Sequence, residues 1–224
     1  MADRTFASLV PRLQASVPGC PHATVVQYIR DATIRTCERT LYWRYQQPRF
    51  NLTPGTFIYP FNKPSDTQVQ VIFGTLVNDV LLEPLILEQA LSSYPMWADK
   101  YTTSGDIEKY GSEPRSITQI SPHQFAVLPL PDANKPYNVR MFYALKPTRS
   151  ATGIDEIILD ELEDAIVHGA LQQLLVLPNV NWSDRELAAY HAKQFLSQVS
   201  ERRIRANLGN ARGTMRARMQ PFGA

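Results

Sequence analysis

Val26, Ile29, Thr33, Cys37 and Leu41, all but Thr33 apolar, recur at three- and four-residue steps. This period predicts an amphipathic helix from about Ala23 to Tyr45. A shorter apolar set, Phe6, Leu9, Val10 and Leu13, predicts a helical segment before it, and Pro18-Gly19-Cys20-Pro21 breaks the chain between the two. From Phe50 to Leu145 the pattern changes: most of the prolines fall there and short β-rich runs replace the helical period. Val69, Val71 and Phe73 alternate with Gln68, Gln70 and Ile72, and Val77-Asn78-Asp79-Val80 is a tight turn into Leu81-Leu82, so this stretch reads as a hairpin. Ser116 to Ile120, Gln124 to Leu128 and Tyr137 to Leu145 read as three further strands, with Leu87 to Leu91 as a helical turn.

Helical periodicity returns after Gly153. Ile154, Ile158, Leu162, Ala165, Ile166, Gly169, Ala170, Leu174 and Leu177 trace one face of a helix that stops at Pro178, and its acids sit at the positive end of the helix dipole. Ser183, with Glu186 three residues on, is a capping box for a second helix through Leu187, Tyr190, Phe195 and Val199. The predicted class is α+β: a helical bundle built from an N-terminal helix and two C-terminal helices, with a β-rich insertion. The segments are 1–49 (N-terminal helical), 50–145 (β-rich insertion), 146–203 (C-terminal helical pair) and 204–224 (an extended basic C-terminal arm). Ala165, Gly169 and Ala170 form a small-residue patch that permits close helix approach, and they are the expected subunit-packing positions.

Charge sharpens this picture at one end. Residues 201–224 carry Arg202, Arg203, Arg205, Arg212, Arg216 and Arg218 against a single acid, Glu201, while the whole chain is only +2. Gly209, Gly213, Pro221 and Gly223 interrupt the stretch, so it has too few apolar residues for a core of its own. Met215, Met219 and Phe222 are interleaved with the arginines, which favours docking into an acidic groove of another protein, because a phosphate binder needs no apolar anchors. Sequence-nonspecific nucleic-acid binding through phosphate contacts is the alternative, and a solvated tail with no role is the third reading.

Candidate chemistry is sparse. Asp155, Glu156, Asp160, Glu161, Glu163 and Asp164 with His168 suggest a carboxylate pair or an Asp164-His168 metal clip, but further ligands at compatible spacing are lacking, and the sequence favours a solvated helix face. A glycan hydrolase using Asp160 or Glu161 is the weakest rival. No nucleophile elbow, P-loop or dinucleotide fingerprint is present, and His22, His123, His168 and His191 are scattered singly, so no enzyme, cofactor or metal site is expected. Tyr42, Trp43 and Tyr45 with Arg39 and Arg44 read as core and snorkelled rim at a helix end, in preference to a base-stacking platform. Cys20 and Cys37 have no paired spacing and are expected as free thiols; no apolar run is long enough to cross a bilayer and no signal peptide is read at the start.

Several segments together resemble the head-to-tail adaptor (connector, or head-completion) proteins of tailed bacteriophages. They are Pro18-Gly19-Cys20-Pro21 with the helix bearing Cys37, Arg39 and Trp43; Val77 to Leu85 leading to Tyr94-Pro95-Met96-Trp97; Ala144 to Arg149; Ala165 to Leu171; and Trp182-Ser183 leading to Leu187-Ala188-Ala189-Tyr190-His191. The stretch from Asp99 to Ser112 departs from that pattern. The resemblance implies a structural subunit of the virion neck, made in the bacterial host cytoplasm, that forms a homo-oligomeric ring, most often of twelve, beneath the portal protein. Such a ring extends the DNA channel, passes DNA without sequence-specific contact, presents a surface to a tail or nozzle protein, and reaches the portal with the arm from Arg202 to Phe222. No membrane and no catalysis are implied.

Overall fold

The computed structural model describes residues 3–95 and 111–209, and the architecture is α+β. A short strand β1 (Asp3–Thr5) leads through a 3-10 turn (Phe6–Leu9) and α1 (Val10–Gln14) into α2 (His22–Thr40). The β-rich part holds β2 (Arg44–Asn51), β3 (Ile58–Pro60), β4 (Thr67–Val77), β5 (Val80–Leu81), β6 (Glu83–Pro84), α3 (Leu87–Ser93), β7 (Ser116–Ser121), β8 (Gln124–Leu128) and β9 (Asn138–Pro147). After β10 (Gly153–Asp155) come two long helices, α4 (Glu156–Leu174) and α5 (Arg185–Leu208).

Helix α2 stops earlier than its period predicts. Leu41 adopts a left-handed backbone, φ 52°, and its amide closes the last turn on the Cys37 carbonyl. Tyr42, Trp43, Arg44 and Tyr45 therefore leave the helix, and the last two open β2 against β9. The aromatic and β-branched content of this stretch suits a half-buried strand at least as well as a helix end. Trp43 is buried and Tyr42 and Tyr45 pack on the core, while Arg44 lies outside over the Phe73 ring at 4.6 Å. The core-and-rim reading of these residues holds, on a strand instead of a helix.

Two four-stranded sheets follow, in the orders β2-β9-β4-β5 and β3-β8-β7-β6; the first is antiparallel throughout, and in the second only β6 and β7 run parallel. The hairpin at Val77 to Val80 forms as expected, with Asn78 and Asp79 both at positive φ, 49° and 65°, the backbone of a tight two-residue turn. The alternation along β4 does not survive. Register shifts between Val69 and Val71 and between Ile72 and Gly74 break the two-residue period, so Val69 is buried whereas Val71 and Phe73 emerge and Ile72 turns to the core.

One buried cluster runs from Phe6 and Leu9 through Ile29, Val69, Met141 and Tyr143 to Leu162, Ile166 and Leu174, so the helices and the first sheet share a core. A smaller cluster, Phe57, Ala90, Ala126, Leu128 and Leu130, lies under α3. Helices α2, α4 and α5 pack on one another. Ala165, Gly169 and Ala170 are buried at that junction, where a Cβ on Gly169 would meet the Phe195 ring at 2.9 Å and the Ala32 Cβ at 3.3 Å. The close approach that the small residues permit is thus made inside the chain.

The helix starts show what the caps decide. Asp155 caps α4 by accepting from the Ile157 amide at 3.0 Å, although the period alone places Ile154 inside the helix. In α5 the cap is Asp184, accepting from the Leu187 amide at 2.9 Å, one residue after the expected Ser183. Ser183 instead donates to the Leu175 carbonyl at 3.3 Å, which ties the loop to the end of α4.

Candidate functional site

The described part of the basic region is helical. Helix α5 continues through Arg202, Arg203 and Arg205 to Leu208, past the boundary expected at residue 203. Arg202 donates to a Glu161 carboxylate oxygen at 2.8 Å and is mostly covered, and Arg205 pairs with Glu201 one turn back at 3.1 Å. Arg203 is exposed and makes no ion pair among the described residues. Two of these arginines are therefore already engaged within the chain. Arg212, Met215, Arg216, Arg218, Met219 and Phe222 lie outside the described residues.

The acids of α4 face solvent for the most part, as expected, and several are also paired. Arg4 pairs with Asp160 and with Glu163, the latter at 3.4 Å; Arg12 pairs with Glu163 and with Asp164, the latter at 3.2 Å. Glu161 is taken by Arg202. The hydrogen bond to Glu163 is the main cause holding the Arg12 guanidinium above its ordinary pKa. These pairs fasten the N-terminal segment and the end of α5 onto α4, and they engage both acids that a hydrolase would need. Among the described residues, no group of three or more His, Cys, Asp or Glu side chains is placed to hold a metal ion.

Two histidines that stand alone in the sequence meet in the fold. His168 on α4 and His191 on α5 approach Nδ1 to Nδ1 at 2.7 Å, a hydrogen bond that needs one proton between them, with Tyr190 edge-on to both rings. Burial lowers both pKa values; at His168 Asp164 partly offsets this and Arg12 adds to it, and at His191 the neighbouring His168 adds to the lowering. The sequence signal was faint: each is an inward position of its helix, and nothing local says that the two inward faces touch.

The remaining surface offers grooves and apolar stretches. A groove of about 590 Å³ along α2 is lined by Gln27, Arg30, Asp31, Arg35, Glu38 and Arg149, with Arg30 donating to the Arg149 carbonyl at 2.9 Å and Glu38 paired with Lys146 at 2.6 Å. Its mixed charge suits a protein partner better than a polyphosphate. Large apolar side chains stand exposed on α5 (Tyr190, Leu196, Ile204, Leu208) and from the hairpin into α3 (Val80, Leu81, Ile86, Leu87).

Comparison with protein families decides the class of molecule: the model for the SU10 adaptor protein matches residues 4–220, nearly the whole chain. The chain belongs to the SU10 adaptor protein family. It is a bacteriophage head–tail adaptor, of a structural family whose place is the virion neck. No curated protein matches it. No described helix is long and apolar enough to cross a membrane, and both cysteines, Cys20 and Cys37, are free and buried.

Proposed function

We propose that this adaptor assembles into a closed ring between the portal protein and the tail or nozzle protein, with twelve subunits as the expected number. The ring extends the DNA channel without sequence-specific contact and offers the surface on which tail components dock. The observation that carries this is the family match over residues 4–220. Several large apolar side chains left more than half exposed on two separate parts of the fold support it, since a subunit stabilised by its neighbours leaves such side chains for its contacts.

The C-terminal arm is the proposed contact with the portal. Arg203, Arg212, Arg216 and Arg218 supply charge, and Met215, Met219 and Phe222 supply apolar anchors. Arg202 and Arg205 hold the root of the arm in helix α5 through Glu161 and Glu201. Removing residues 210–224 should leave the folded core intact and abolish attachment to DNA-filled heads, measured by co-sedimentation. Undiminished attachment of the shortened chain would remove the arm from the account. Steeply salt-dependent binding of the full chain to naked DNA, lost with the same deletion, would favour the nucleic-acid alternative.

A further inference from the structure

Helix α5 turns Ala188, His191, Phe195, Val199 and Ala206 inward onto α2 and α4. Its opposite side mixes the exposed polar residues Glu186, Lys193, Ser197 and Glu201 with large apolar side chains that such a helix ordinarily keeps out of water. Tyr190, Ile204 and Leu208 follow one line along it, with Leu196 beside them, and each is more than half exposed. Lys193 and Arg203 lie to one side of this line and Glu186 lies on it, all three exposed and without an ion pair among the described residues, whereas Glu201 is taken by Arg205.

A second apolar patch lies on a different part of the fold. Val80 and Leu81 at the hairpin tip and Ile86 just before α3 are each more than half exposed, and Leu87 continues the patch. Residues 79–95 contain Asp79, Glu83 and Glu88 and no lysine or arginine. Asp79 is taken by Arg140, whereas Glu83 and Glu88 are exposed and unpaired among the described residues. The two patches therefore match in kind, apolar on apolar, and oppose in net charge: Lys193 and Arg203 against Glu186 on α5, Glu83 and Glu88 against the neighbouring Arg115 on the other. Either patch placed on itself would bring like charges together, which disfavours a two-fold contact.

We infer that the hairpin and α3 edge of one copy docks on the outer side of α5 of the next, with Leu81 and Ile86 against Ile204 and Leu208, and Glu83 and Glu88 facing Lys193 and Arg203. A contact between two different patches of one chain is head-to-tail, and such a contact closes into a ring when its rotation closes. This inference rests on the ring proposed above and assigns its two faces.

The test uses the full chain with Leu81→Asp and, separately, Ile204→Asp, followed by size-exclusion chromatography with light scattering; circular dichroism checks that each variant is folded. Each variant alone should assemble at least about tenfold more weakly than the unaltered chain, a change typical of a central interface side chain. Mixed together, the two variants should form a one-to-one dimer and nothing larger, because one intact hairpin then meets one intact α5. The pair Glu88→Lys and Arg203→Glu gives an independent readout, in which each single change weakens assembly and the double change restores it. Variants that assemble like the unaltered chain, a mixture that stays monomeric, or a charge swap without rescue would overturn the assignment while leaving the ring. An unaltered chain that stays monomeric at every concentration, alone and with portal, would overturn the ring and this contact with it.

Discussion

Replacing Gly169 by alanine sets two known effects against each other at the junction of α2, α4 and α5. In a helix interior the change is worth about 1 kcal/mol in favour of alanine, from the reduced freedom of the unfolded chain. Against it stands space: the new Cβ would lie 2.9 and 3.0 Å from two atoms of the Phe195 ring and 3.3 Å from the Ala32 Cβ. Ordinary carbon contacts are about 3.5–4.0 Å, so the ring must retreat by roughly 0.5–1 Å into a core that is already filled. Overpacking of this kind costs about 1–3 kcal/mol. The net expectation is a loss of roughly 1 kcal/mol, or about 2–4 °C in Tm for a chain of this length. Urea unfolding of Gly169→Ala, of Phe195→Leu and of the double variant provides the assay. In the Phe195→Leu background the alanine should become neutral or stabilising, because the obstructing ring is gone. A single Gly169→Ala variant that gains about 1 kcal/mol would refute the close approach, since only the propensity effect would then be at work.

Three further outcomes follow from the same geometry. Because burial depresses the pKa of His168 and His191 in the folded chain, their contribution to stability is present above the unfolded value of about 6.5 and is lost as pH falls below it. Unfolding measured from pH 7.5 to 5 should show this loss, with a slope approaching about 1.4 kcal/mol per pH unit for each proton taken up, and His191→Gln should flatten it. Asp155→Ala removes the cap of α4 and should cost about 1 kcal/mol in urea unfolding, whereas Asp155→Asn should keep most of it. The Cys37 thiol, pushed up to about 12 by burial, should resist iodoacetamide at pH 8 until denaturant is added, as read by mass spectrometry; ready labelling of the folded chain would contradict its burial.

Periodicity made the long elements of this adaptor legible. The runs from Val26 to Cys37 and from Ile158 to Leu174 each recur at a helical period, and both are helices. Asn78-Asp79 marked the hairpin because few residue pairs accept two positive φ angles in succession. What stayed hidden depends on partners distant in sequence. Tyr42 to Tyr45 could continue α2 or enter a strand, and the presence of β9 decides. The outward turn of Val71 and Phe73 follows from register shifts against β9 that no local pattern encodes. Most acids of α4 are solvent-exposed as expected, but their pairing with Arg4 and Arg12, some 150 residues away, could not be read from the sequence. Of the arm, Arg202 and Arg205 turned out to be engaged inside the chain, which sequence charge alone does not reveal.

The central claim is that this chain closes into a ring at the portal vertex. Electron microscopy of purified, tail-less, DNA-filled heads mixed with the full-length protein tests it most directly. The account predicts an added ring of density below the portal, coaxial with the channel, that appears with the full chain and is missing when residues 210–224 are removed. Heads that remain bare at saturating protein, or protein that binds as scattered single copies with no ring at the vertex, would contradict it.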